Sequence, residues 1–174
     1  MSGEQHRITI RPYRDEDRDA VIKLAPRLTE GVAAWRDAGA VAVAAHDWVT
    51  GSLDQSGSDG LGVLVAVRDG RIAGFVTVTT RRHFTGAVDA YIGELVVSAE
   101  VERMGVGRSL VGAAESWARD RGLRHITLET GAANARARSF YRALGYAEEE
   151  VRLSKPVQPG DDQTEASSMP APDH

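Results

Sequence analysis

The feature that most constrains this chain is a change of period near its middle. From Leu61 to Val97, apolar residues come in three strand-length runs, Leu61–Arg68, Arg71–Arg81 and Ala87–Val97. Asp69-Gly70 and Thr85-Gly86 divide them. Asp-Gly supplies the positive φ angles of a two-residue hairpin, so the runs read as an antiparallel meander. From Gly105 the period becomes helical. Val106, Leu110, Ala114 and Trp117 share one face of a helix over Gly105–Arg121, and Gly122 is placed to end it. A strand over Arg124–Thr130 follows, with Ile126 and Leu128 on one side. A helix over Ala135–Leu144 comes next, capped by Asn134, with Ala137, Phe140, Tyr141 and Leu144 in one stripe before Gly145. Tyr146–Lys155 reads as a last strand. Antiparallel strands followed by βα units predict a mixed sheet with helices on its faces.

Upstream, Ile8–Tyr13 alternates as a short strand. Asp15–Leu28 reads as a helix with Val21, Leu24, Ala25 and Leu28 on one face, and Pro26 kinks or splits it. One or two helices are expected between Glu30 and Leu53. The predicted fold class is α/β with a mixed sheet, in the order β-α-α-β-β-β-α-β-α-β. With 174 residues there is one domain. Its expected limits are 8–155, between a flexible N-terminus (1–7) and a disordered tail (156–174) rich in Pro, Gly, Ser and acids.

Charge and composition exclude several functions. The net charge is −4, and most of that excess lies after Ser154, so the remainder is close to neutral. No broad basic surface for nucleic acid is expected. No apolar run approaches the ~18 residues of a membrane span, and Met1–Arg7 has no apolar signal segment, so no membrane partner is expected. The absence of cysteine removes thiolate nucleophiles, disulfides and Cys-based zinc sites, and fits a cytoplasmic protein with no metal.

The chemistry is expected at Glu102-Arg103-Met104-Gly105-Val106-Gly107-Arg108-Ser109, which follows a strand and opens a helix. Its glycines let a ligand approach the backbone, and free N–H groups of a first helical turn favour phosphate. A plain strand-to-helix turn accounts for the same residues equally well. Two phosphate motifs are excluded. A dinucleotide fingerprint requires Gly where Leu110 stands, and a P-loop requires Lys then Ser or Thr where Ala113 and Ala114 follow Gly112.

The stretch Glu94–Val111 resembles motif A of the GCN5-related N-acetyltransferases (GNAT): a strand, then Gln or Arg, two residues, Gly, one residue, and Gly or Ala. Asn134-Ala135-Arg136-Ala137-Arg138-Ser139-Phe140-Tyr141-Arg142-Ala143-Leu144-Gly145-Tyr146 resembles motif B of the same family. The resemblance covers about Ile8–Lys155 and is tight from Tyr91 to Tyr146. One position departs from it: Glu102 stands where the family has Gln or Arg, and a carboxylate pointing inward there would repel a pyrophosphate.

The resemblance implies a GNAT-like fold with splayed central strands and acetyl-CoA as cosubstrate. It implies that Arg103, Gly105, Gly107, Arg108 and Ser109 hold the pyrophosphate. The pantetheine arm would lie along the backbone of Leu95 and Val97, and Asn134 would contact that arm as well as cap its helix. Tyr141 matches the acid that protonates the departing thiolate; without the resemblance it reads as a core tyrosine. Freeing an alkylammonium of pKa ~10.4 at pH 7 costs about 4.6 kcal/mol, so a base matters more than the acid. Glu94, in an apolar run of the third meander strand, is the first candidate base, and His83 is the second. Glu30–Leu53 matches the region that shapes the acceptor pocket. Trp35, Trp48 and Tyr91 are its candidate lining, with packing and a solvated face the simpler reading of the tryptophans.

The function so implied is transfer of acetyl from acetyl-CoA to a primary amine by direct attack in a ternary complex, with a small molecule favoured as acceptor. The alternatives are a protein N-terminus or lysine as acceptor, or a non-catalytic acyl-CoA-binding module. Relatives often pair through the last strands or the sheet edge, which keeps a homodimer open.

Overall fold

The computed structural model describes residues 7–157. Five strands form one mixed sheet in sequence order: β1 (Thr9–Pro12), β2 (Leu61–Arg68), β3 (Arg71–Arg82), β4 (Val88–Val97) and β5 (Ile126–Leu128). The first four are antiparallel neighbours, and β5 joins β4 in parallel. Asp69 (φ 51°) and Gly70 (φ 75°) make the left-handed turn that the β2–β3 hairpin requires.

Helices α1 (Arg18–Ile22) and α2 (Ala38–Asp54) cover one face, and α3 (Val106–Asp120) covers the other. Val21, Val49 and Leu53 meet Val63, Val65, Phe75 and Val96 on the first face. Val106, Leu110, Ala114 and Ala118 meet Ala66, Val76, Val78, Ala90 and Ile92 on the second. Helix α4 (Ala135–Ala143) follows β5. Among the described residues no helix is long and apolar enough to cross a membrane.

Three local expectations are corrected. The single helix over Asp15–Leu28 is a 3-10 turn (Asp15–Asp17), the five-residue α1, and a 3-10 helix (Ala25–Thr29). Pro26 has no N–H to give the Ile22 carbonyl four residues back, and its ring clashes there, so α1 stops at Ile22. The expected strand Arg124–Thr130 is reduced to three residues. The last strand, Tyr146–Lys155, does not form. Its alternating Val151 and Leu153 are exposed, and a strand that buries neither face has no packing to hold it. The segment Glu30–Leu53 holds one helix, α2, begun where the Asp37 carboxylate accepts from Ala40 N–H at 2.7 Å. The expected flexible N-terminus and disordered tail lie almost wholly outside the described residues.

Candidate active site

The sheet opens beside β4. Strand β5 pairs only Ile126–Leu128 with Ala90–Ile92, while β4 continues to Val97. From Gly93 onward, the edge of β4 turned away from β3 has no strand partner among the described residues. Such an edge can take an extended ligand as an added strand. Leu95 and Val97 lie on this stretch with their side chains packed toward the α3 core, which leaves their backbone for recognition.

Beyond β4 the chain makes a 3-10 turn (Ala99–Val101) and enters α3 through two left-handed residues, Arg103 (φ 62°) and Gly105 (φ 85°). The first helical bond here runs from Ser109 N–H to the Gly105 carbonyl at 3.0 Å, and the Ser109 hydroxyl donates to the same carbonyl at 3.1 Å. The N–H groups of Val106, Gly107 and Arg108 therefore precede any helical acceptor, and the dipole end is positive. The space beside Gly105 is open. Gly107 is closed in: a Cβ there would lie 3.2 Å from the Phe140 ring, so α4 packs directly on the first turn of α3. Arg103 and Arg108 are exposed and make no ion pair among the described residues.

Glu102 does not stand alone at this turn. One carboxylate oxygen meets Arg27 at 2.5 Å, and the other meets Arg136 at 2.6 Å. The Arg136 hydrogen bond, followed by the charges of both arginines, holds the Glu102 carboxyl below the usual carboxylate range. Its negative charge is spent on two guanidinium groups.

Glu94 sits on the other side of β4, and a bulge puts it there. Val76 is opposite Leu95 and Val78 is opposite Ile92, so Thr77 alone faces both Gly93 and Glu94. The extra residue shifts the alternation, and Glu94 turns toward α2 with only 8% of its surface exposed. The Thr77 hydroxyl accepts from Glu94 N–H at 2.9 Å and donates to the Glu94 carboxylate. The Ser52 hydroxyl, on α2, reaches both carboxylate oxygens at 3.2 and 3.3 Å. Burial raises the Glu94 pKa, and the two hydroxyls offset part of that rise. A carboxylate raised this way is a better proton acceptor than an exposed one.

Tyr141 is half-buried on α4, stacked edge-on to Phe140 (5.1 Å) and Tyr146 (5.5 Å). Burial pushes its pKa up to about 12. Phe140 touches Gly107, so Tyr141 stands next to the residue that joins α4 to the glycine turn. Asn134 caps α4: its Oδ1 accepts from Ala137 N–H at 3.0 Å, and its Nδ2 donates to the Glu30 carbonyl at 3.3 Å.

The family model described as acetyltransferase (GNAT) family matches residues 23–146. The chain belongs to that family. GNAT enzymes use acetyl-CoA, and this member is an N-acetyltransferase. It is 29% identical over 115 residues to an aminoglycoside N(6')-acetyltransferase type 1 of Stenotrophomonas maltophilia, covering 62% of this chain and 75% of that one. It is 37% identical over 97 residues to a mycothiol acetyltransferase of Cellulomonas flavigena, covering 51% of this chain and 27% of that one. Its fold is similar to that of an aminoglycoside N-acetyltransferase solved in complex with CoA, at a TM-score of 0.66 and 18% identity, covering 91% of this chain and all of that one. An acetyl transferase structure from Pyrococcus furiosus gives a TM-score of 0.69 at 23% identity, covering 87% of this chain and all of that one.

The remaining candidates of this GNAT chain lie on β4, on α2 and in the segments beside β3 and α2. Tyr91 is half-buried on β4, with the Arg81 guanidinium 4.7 Å from its ring centre and Arg81 paired to Glu129 at 2.8 Å. Trp48 is exposed on α2 one turn before Ser52, and Trp35 is exposed in the segment leading into α2. His83 follows β3 at the opposite end of β4 from Glu94, with Nδ1 2.7 Å from the Thr85 hydroxyl. Six residues of β4, Val88–Gly93, separate Ala87, its hairpin partner, from Glu94, about 23 Å along the strand. Sequence reasoning did not find Ser52, Thr77, Arg27 or Arg136. Thr77 left one signal, a polar residue within the apolar run Phe75-Val76-Thr77-Val78. The other three are surface-type residues whose partners are distant in sequence.

Proposed function

We propose that this chain transfers an acetyl group from acetyl-CoA to a primary amine on a small molecule, by direct attack in a ternary complex. The observation that carries the reading is the edge of β4 from Gly93 to Val97, without a strand partner among the described residues, with an open glycine turn at one end and buried Glu94 on its acceptor side.

The residues present fit acetyl-CoA. The free N–H groups at the start of α3, with Arg103 and Arg108, suit its pyrophosphate, and the Glu102 charge that would oppose it is neutralised by Arg27 and Arg136. The backbone of Leu95 and Val97 suits the pantetheine amides, and Asn134, which caps α4, is the side chain assigned to the same arm. When bound, acetyl-CoA supplies an acetyl group activated as a thioester. Glu94 takes the proton that the attacking amine must lose. Tyr141 keeps its proton through the neutral range and donates a hydrogen bond to the departing sulfur. Outright transfer from a group near 12 to a thiol of reference pKa ~8.5 would be uphill by about 5 kcal/mol. Hydrogen bonding to sulfur, with the final proton drawn from solvent, needs no such step.

Trp48, Trp35 and Tyr91 border the acceptor side. The names of the related aminoglycoside N(6')-acetyltransferases support an amino sugar as the first acceptor class to try. The lack of cysteine supports a cytoplasmic location. Calorimetric titration with acetyl-CoA, CoA and ATP tests the donor, and an amine panel followed by thiol release tests the acceptor. Binding of the two CoA species without ATP, then turnover with a small amine, is the expected result. Failure of acetyl-CoA to bind overturns the reading.

A further inference from the structure

Glu94 is held by two hydroxyls from different elements, and one of them has no part in the sheet. Thr77 is its direct neighbour across β3 and β4, held there by the strand pairing and its bulge. Ser52 is 42 residues away on α2, between the buried positions Val49 and Leu53. Its hydroxyl lies almost equidistant from the two carboxylate oxygens, at 3.2 and 3.3 Å. A single donor placed between both oxygens restrains rotation of the carboxylate about its last bond. Among the described residues no charged side chain from β3, β4 or α2 is among the groups that shift Glu94. Tyr91, on the same strand, is the titratable neighbour its charge reaches. The two hydroxyls are therefore the polar control on this carboxylate.

We infer that Ser52 is a positioning residue for the reaction: from α2 it fixes the Glu94 carboxylate in the orientation from which it accepts the amine proton. This rests on Glu94 being the base. Trp48 lies one helical turn before Ser52, and residues four apart on a helix share a face. Helix α2 thus carries both a candidate wall of the acceptor pocket and the group that orients the base, so a shift of α2 moves the two together.

The test compares wild type, Ser52→Ala and Ser52→Thr. The Glu94 carboxyl carbon is followed by carbon NMR against pH, with Glu94→Gln used for assignment, and the pH profile of kcat/KM is recorded with the best amine of the panel. Loss of one hydrogen bond to an ionised group is expected to move both the carboxyl titration and the acidic limb up by roughly one pH unit in Ser52→Ala. Ser52→Thr keeps the hydroxyl and is expected to restore both. If the carboxyl titration does not move in Ser52→Ala, the inference is overturned while the base role stands. If the titration moves but the acidic limb does not, and Glu94→Gln keeps its activity, Glu94 is not the base and the inference falls with that reading. A loss of stability common to Ser52→Ala and Ser52→Thr, with no shift in either profile, would assign Ser52 to packing alone and also overturn it.

Discussion

Arg136, in the first turn of α4, holds the Glu102 carboxylate at 2.6 Å, and Arg27 holds the other oxygen of the same group at 2.5 Å. One acid thus ties together the 3-10 helix after α1, the turn before α3, and α4. The position that departs from the family pattern is the hub of this contact.

Replacing Glu102 by Gln removes one negative charge beside the glycine turn and frees Arg136 of its ion pair, while Arg27 keeps Glu30 at 3.0 Å. The expected outcome is severalfold tighter acetyl-CoA binding at low salt, with the gain fading as salt screens it. Calorimetry at two ionic strengths checks this. Weaker binding at both would mean that the ion pairs shape the site more than their charge opposes it.

Glu94→Gln is expected to lower kcat/KM by about 100-fold or more while leaving acetyl-CoA affinity intact. It also carries a stability signature. The folded-state pKa of Glu94 is raised, so its contribution is fully present below the unfolded value near 4.5 and is lost as pH rises through the folded value. Gln copies the neutral form. The variant should therefore melt higher than wild type at pH 7–8, and the gap should close below roughly pH 4.5. Thermal melts across that range show the trend or its reverse.

Tyr141→Phe removes the hydroxyl and keeps the ring stacked on Phe140 and Tyr146. A fall of roughly 10–100-fold in kcat is expected, with an unchanged dissociation constant for CoA. Because the tyrosine titrates near 12, the wild-type profile should show no basic limb from this group between pH 6 and 10. Equal turnover in the two proteins would remove Tyr141 from the mechanism.

Gly105 takes φ 85° with open space beside it, so an added methyl meets no neighbour and the cost is in the backbone. Gly105→Ala should cost about 1 kcal/mol of stability and weaken CoA binding by distorting the turn. Gly107→Ala meets a different obstacle, the Phe140 ring at 3.2 Å, and should displace α4 instead. Chemical denaturation together with CoA titration of the two variants separates these effects.

The meander, the Asp69-Gly70 hairpin, the glycine turn and the Asn134 cap were legible because each depends on residues a few positions apart. Asn134 reaches Ala137 N–H, three residues on. The last strand was misread for the opposite reason. Alternation at Val151 and Leu153 marks a segment able to pair, but pairing requires a surface to cover, and β5 stops at Leu128.

The amino-acid order alone determined the meander and the helix, strand and helix that follow it, the family, and the position of Glu94 on an apolar strand. It could not determine which way Glu94 would face, because a one-residue bulge opposite Thr77 reverses the alternation that would otherwise assign its side. Nor could it join Ser52 to Glu94 across 42 residues, or Arg27 to Glu102 across 75. Those pairs form because packing on the sheet brings α2 against β4 and the 3-10 helix against the turn before α3, and hydrogen bonds and ion pairs act over a few ångströms of space irrespective of distance along the chain.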